Sequence, residues 1–178
     1  MKSGSSLLLI VMVALGVACG FENSHGGATA SAHDPGEDTT SIELGKGKVS
    51  IHYGTPRLGK RNLDDMIKPG LAWFMGMNDP TTLETTVDLD FNGRRLGAGK
   101  YAIFARADER RNWTLLVSSA IERPLNPSTV VLEAPLRFNK DGAPQDLLKI
   151  TLEKAGDGAS MTVAWGNYRL QGAFKPAA

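Results

Sequence analysis

Residues 82–91 read Thr82-Leu83-Glu84-Thr85-Thr86-Val87-Asp88-Leu89-Asp90-Phe91, and Asn92-Gly93 follows at once. Leu83, Thr85, Val87, Leu89 and Phe91 alternate with Glu84, Thr86, Asp88 and Asp90. Successive side chains of an extended chain point to opposite faces, so a period of two with charges on alternate positions predicts a half-buried antiparallel strand. Asn-Gly is the strongest short-range hairpin signal, because both residues accept positive φ. This stretch sets the class of the fold as antiparallel β.

The same grammar extends in both directions. After the Gly97-Ala98-Gly99 bend, residues 100–107 return as a strand, and 113–118 pair with them across the polar turn 108–112. Residues 130–138 are extended, with Pro135 at an edge or bulge because an imide cannot donate to a ladder. Residues 147–152 and 161–165 flank the turn Ala155-Gly156-Asp157-Gly158, and 168–174 close the chain. Towards the N-terminus, 41–44 and 48–54 form a hairpin through Gly45-Lys46-Gly47, with Val49, Ile51 and Tyr53 on one face. One short helix is predicted at 63–67, capped by Asn62 and stopped by Pro69-Gly70. Nine to eleven short strands with this turn spacing predict an all-β, antiparallel β-sandwich or jelly roll.

The first 40 residues differ in kind. Lys2 precedes an unbroken apolar run at 7–13, extended to Ala18 by small and apolar residues. About a dozen such residues fit a signal peptide and fall short of the roughly 20 needed to span a bilayer. Leu15-Gly16-Val17-Ala18-Cys19 resembles a bacterial lipobox, which implies cleavage after residue 18 and a lipid on Cys19. Gly20 stands where an inner-membrane retention signal would place Asp, so the expected address is the outer membrane. Residues 19–40 are rich in Gly, Ala, Ser, Thr, Asp and His, and read as a disordered tether. Residues 41–178 are the β domain.

Charge and composition exclude several classes. The net charge of +1 hides four acids and no base in residues 19–42, against a mild basic excess beyond them. That excess is far from the dense patch of a nucleic-acid binder, and no nucleic-acid partner is expected. Cys19 is the only cysteine, which rules out an intrachain disulfide. His52 is the only histidine within the domain, His25 and His33 being in the tether. Neither a transition-metal site nor a Ser-His-Asp triad is expected, and no cofactor motif occurs.

A family resemblance enters at Tyr53-Gly54-Thr55-Pro56-Arg57-Leu58-Gly59-Lys60-Arg61. It continues through Trp73-Phe74-Met75-Gly76-Met77-Asn78-Asp79-Pro80-Thr81-Thr82 and Asn92-Gly93-Arg94-Arg95-Leu96-Gly97-Ala98-Gly99-Lys100-Tyr101. Trp113 and Ala164-Trp165-Gly166 match as well. These motifs resemble the bacterial family called domain of unknown function 2911, over about residues 43–174. The resemblance implies an exported β-rich domain, often a lipoprotein, and brings no activity. Phe74 stands where the family favours Arg, Asp79 where it favours Glu, and Gly97 where it favours Pro.

The candidate ligand-binding residues come from the first two of those segments. Tyr53, Arg57, Lys60 and Arg61 lie at a strand end and loop, and Trp73, Asn78 and Asp79 near a Gly76 bend. Together they offer an aromatic platform, cations and an amide beside a carboxylate, suited to a polar or anionic ligand such as a glycan. A plainer arrangement is also open, with Tyr53 and Trp73 in the core, Gly59 and Gly76 in turns, and Arg61 paired to Asp64 or Asp65. The leading functional expectation is a non-catalytic binding module for a glycan, a peptide or an envelope protein. The alternative is an envelope hydrolase using carboxylates near Asp79, and a structural envelope protein is third. The membrane is the expected partner through Cys19.

Overall fold

The computed structural model describes residues 36–178; the span read as a signal peptide, Cys19 and most of the span read as a tether lie outside the described residues. The chain forms β1 (Glu37–Leu44), β2 (Gly47–Gly54), α1 (Leu63–Met66), β3 (Thr82–Thr85), β4 (Leu89–Asp90), β5 (Arg95–Leu96), β6 (Gly99–Ala107) and β7 (Trp113–Ser118). A 3-10 turn (Pro127–Thr129) leads into β8 (Val130–Asn139), β9 (Gln145–Ala155), β10 (Gly158–Gly166) and β11 (Tyr168–Pro176). All-β antiparallel architecture, the strand number and the short helix agree with the sequence. The side chain of Asn62 accepts from Asp64 N and caps the helix.

The strands make one sheet in the order β1-β2-β3-β6-β7-β8-β11-β10-β9, with β4 joined to β11 and β5. Every ladder along this path is antiparallel. The path holds nine strands, so its first and last run in the same direction, and antiparallel alternation cannot close the ring between them. The seam is held in another way. The Tyr53 hydroxyl bridges β1 and β9, bonding Asp38 Oδ2 at 3.1 Å and Ile150 O at 3.2 Å. Beyond the end of β2 the chain does pair antiparallel with β9, Leu58 N donating to Asp146 O and Leu148 N to Pro56 O.

The stretch 82–91 keeps its alternation but not its continuity. Leu83, Leu89 and Phe91 are buried as expected, yet β3 stops at Thr85. The Thr85 hydroxyl donates to Val87 O at 2.6 Å, a local bond that competes with the ladder and bends the chain. Residues 82–85 pair with β2 and β6, whereas 89–90 pair with β5 and β11. Asn92 and Gly93 both take positive φ, 53° and 88°, and turn the short β4–β5 hairpin.

One further boundary departs from the sequence reading, whereas Pro135 keeps the edge position expected of it. Residues 37–40, read as tether, are the first half of β1 and pair with 51–54. Glu37, Asp38 and Thr39 are exposed there, so the strand rests on its ladder and leaves no apolar alternation to detect. Pro135 lies inside β8, where only β7 pairs alongside, since β11 joins β8 from Arg137 onward. One main core fills the sheet. A small second cluster of Ala102, Phe104 and Leu116 lies on the other face of β6–β7, covered by Ala72, Phe74 and Leu125.

Candidate functional site

The end of β2, the start of β7, the end of β10 and the start of β11 meet at one end of the sheet, and the long connection 55–81 is laid across it. Leu63 and Ile67 are buried in the core from this connection. Trp73 is fixed by a pair of backbone bonds to Ala105, both 2.8 Å, and Gly70 N donates to Ala107 O. The result is an aromatic cap. Trp73 stacks on Trp165 with centroids 5.9 Å apart and planes 14° from parallel. It meets Trp113 edge-on at 6.4 Å, and Trp113 in turn packs against Phe138 and Tyr168. Trp113 and Trp165 are buried, while Trp73 is half-buried and reaches the surface.

The loop after Trp73 is held tightly. Met75 and Asn78 adopt left-handed φ of 50° and 62°, a conformation that costs a non-glycine residue roughly 1–2 kcal/mol. Met75 is fully buried, and the Thr81 hydroxyl donates to its carbonyl at 3.1 Å. Gly54 makes the close approach possible, since a Cβ there would stand 2.4 Å from Met77 O. Strain of this kind persists only where the surroundings fix the loop.

Between this loop and α1 lies a groove of about 330 Å³. Trp73, Trp165, Phe74, Met66 and Met77 supply apolar walls, and Arg61, Arg123 and Asn78 the polar lining; among the described residues no Asp or Glu lines it. The Arg61 guanidinium stands 5.8 Å from the Trp165 ring centroid, and that of Arg123 4.8 Å from the Phe74 ring. Arg61 donates its Nε to Leu58 O at 3.1 Å and one Nη2 hydrogen to Arg57 O. Three of its five N–H groups are not committed to these carbonyls. The position where the family favours arginine is Phe74, and here a cation stands over it from a remote loop.

The sequence candidates divide. Arg61, Trp73 and Asn78 are brought together in the groove. Tyr53 is core, 1 % exposed, and burial pushes its hydroxyl up to about 12. Arg57 pairs with Asp146 at 2.5 Å. The same carboxylate accepts from Gly59 N at 2.8 Å; this bond and the arginine hold Asp146 below the usual carboxylate range. Lys60 and Asp79 are exposed and do not line the groove. Arg123 and Trp165 complete the site although neither was a candidate. Arg123 follows β7 at a distance no local pattern connects to Trp73, whereas Trp165 carried a signal as one of the matching motifs.

An ionic knot supports the groove from below. Asp64 of α1 accepts from Arg111 Nη2 at 2.8 Å, from Lys140 Nζ at 2.6 Å and from the Tyr168 hydroxyl. The Lys140 bond first, and the Tyr168 bond next, bring its carboxyl down to about 2. Burial first, and the bond to Asp64 next, push Tyr168 up to about 12. Arg111, which reads from sequence as a solubilising charge beside a turn, therefore ties α1 to the start of β11. Arg61 is not the partner of Asp64.

The comparisons with known proteins come to one match. The family model described as a protein of unknown function (DUF2911) covers residues 35–174. No curated protein and no solved structure matches the chain.

Proposed function

The chain belongs to this family of unknown function, which carries no activity with it, and from the chain's own residues we propose that it is a non-catalytic binding module of the cell envelope. The observation that carries this reading is the groove. An apolar, partly aromatic floor bordered by two arginines, with no carboxylate among the described residues that line it, is complementary to a ligand with an apolar face and negative charge. A glycan bearing acidic groups, an acidic peptide and an envelope protein segment all meet that description. The hydrolase alternative has less support, because Asp79 stands outside the groove and no carboxylate lines it among the described residues.

Binding is tested by thermal unfolding of the full chain against acidic oligosaccharides, acidic peptides and their neutral counterparts. A ligand present at about 100 times its dissociation constant stabilises by roughly 2.7 kcal/mol, a rise of several degrees for a domain of this size. The rise is expected for the acidic members only, and Arg61→Ala with Arg123→Ala should remove it. A rise that survives both substitutions would place the site elsewhere.

The display of the module rests on the lipobox-like Leu15-Gly16-Val17-Ala18-Cys19, with a lipid on Cys19 holding the domain to the outer membrane. Cys19→Ala is expected to move the protein from the membrane fraction to the soluble envelope fraction. Unchanged fractionation of that variant would refute the anchor.

A further inference from the structure

We infer that the groove and its rim are a membrane-docking face, and that the anionic ligand of the proposed site is the phospholipid surface itself. The inference rests on the reading of the groove as a binding site and names its partner. Three observations point to a membrane.

The first is what stands around the groove. Among the described residues the large hydrophobic side chains left exposed are Met66 at 41 %, Leu71 at 65 %, Ile121 at 47 % and Val131 at 52 %. Met66 lines the groove, Leu71 is two residues from Trp73, and Ile121 two residues from Arg123. Three of the four thus belong to the segments that build this site. Exposed apolar side chains of this size on segments that border an arginine-bearing groove are what a protein offers to the headgroup boundary of a bilayer.

Charge is the second. Arg61 and Arg123 line the groove, with Lys60 and Lys68 exposed on the same connection as Arg61. Arginine beside half-buried tryptophan suits the interface, where a guanidinium reaches phosphate while its stem and the indole remain in an apolar layer. Among the described residues no carboxylate lines the groove itself, so Arg61 and Arg123 meet an anionic group there without a competing acid. The exposed Asp65, Asp79 and Glu122 of the same segments lie outside the lining.

The third observation is where the chain enters the domain. Gly36 and Thr55 exchange bonds, Thr55 N donating to Gly36 O at 2.7 Å and Gly36 N to Thr55 Oγ1 at 2.9 Å. The next residue, Pro56, lines the groove. The described chain therefore begins, at Gly36, beside a residue next to the groove lining. Residues 20–35 reach at most roughly 55 Å even when fully extended. A lipid on Cys19 would keep the domain within that distance of the bilayer, close enough for the groove to reach it.

The test places a reporter on the rim of the full chain. Leu71→Trp puts an indole at the most exposed apolar position, and its emission is read with vesicles of phosphatidylglycerol and phosphatidylcholine or of phosphatidylcholine alone. Because the chain already holds Trp73, Trp113 and Trp165, the signal of residue 71 is the difference from the unsubstituted chain. A lipid on Cys19 would insert into both vesicle types, so this difference separates docking from anchoring. The emission is expected to shift to the blue, and to be quenched by brominated acyl chains, with the anionic vesicles only. Each of Arg61→Ala and Arg123→Ala should lower the anionic partition roughly fivefold, from about 1 kcal/mol per basic residue near the surface. Ile121→Glu, at a site 47 % exposed, should reduce the signal as well, with the thermal midpoint of the variant checking that its fold is kept.

Equal spectra in the two vesicle types, or docking indifferent to Ile121→Glu, would overturn the inference. Stabilisation by acidic peptides or oligosaccharides without any vesicle signal would assign the groove to a soluble ligand, leaving the binding reading intact. Silence in both experiments would remove both.

Discussion

Trp165→Ala is expected to cost about 3–5 kcal/mol of stability, the range for deleting a buried large aromatic side chain. Trp165 is 2 % exposed, stacks on Trp73 and lies beneath Arg61. Its Nε1 donates to Asp146 O at 3.1 Å, on the segment that closes the seam beside Pro56 and Leu58. Removing it opens a cavity in the cap and takes away the ring against which Trp73 is seated. Chemical denaturation should show the midpoint falling with an unchanged slope, and the thermal midpoint dropping by roughly 10 °C or more. The groove ligand should lose its effect in the same variant.

A pair of milder substitutions separates the ring from its N–H. Trp113 is as buried as Trp165, yet its Nε1 has no hydrogen-bond partner among the described residues. Trp113→Phe therefore gives up packing only, while Trp165→Phe gives up packing and a hydrogen bond worth roughly 0.5–1.5 kcal/mol. Trp165→Phe should be the more damaging by about that difference. A Trp165→Ala loss below about 1 kcal/mol would show that the stacked indoles do not hold this end together.

Asp64→Asn is expected to lower stability at neutral pH by about 1–2 kcal/mol and to flatten the acid limb of the stability profile. Bonds to charged groups contribute roughly 1.5–3 kcal/mol, and the carboxylate is one-third exposed, so solvent screening reduces the figure. The sign follows from linkage. The folded carboxyl titrates at about 2, below its ordinary value of 3.8. Its stabilisation is therefore complete above the unfolded value and is lost as the pH falls from about 4 towards 2. In the wild-type chain the unfolding free energy should decline across that window, and in Asp64→Asn the decline should shrink. Tyr168→Phe, which removes one of the bonds holding the carboxyl down, should move the decline to higher pH. An acid limb identical in all three chains would mean that Asp64 is not clamped in solution.

The groove combines residues that sequence reading could and could not reach. Trp73 and Asn78 were candidates because they lie in a short motif next to a glycine bend, and Arg61 because it closes a basic loop. That they face one another depends on two backbone bonds between Trp73 and Ala105, which no pattern in residues 55–81 specifies. Tyr53 illustrates the opposite limit. Its alternation with Val49 and Ile51 predicts an inward face, and its position at a strand end suggested a site, but the inward face decides because β9 closes over it. Arg123 could not be foreseen, since it enters from a loop whose only local signals are prolines and charge.

By itself, the sequence determined the class of structure. Period-two alternation, glycine-bearing turns and the absence of long helical patterns leave antiparallel strands as the way to bury these side chains, and the family motifs agree. Tertiary structure alone decided where the strands break, how the sheet closes and what the site contains. Alternation encodes which face of a strand is buried but not which neighbour it bonds, so the break after Thr85 and the exchange of partners at Leu89 are silent in it. An odd number of strands fixes a parallel seam only after their order is known. The two arginines of the groove come from residues 61 and 123, and only packing across the end of the sheet sets them around one pair of stacked indoles.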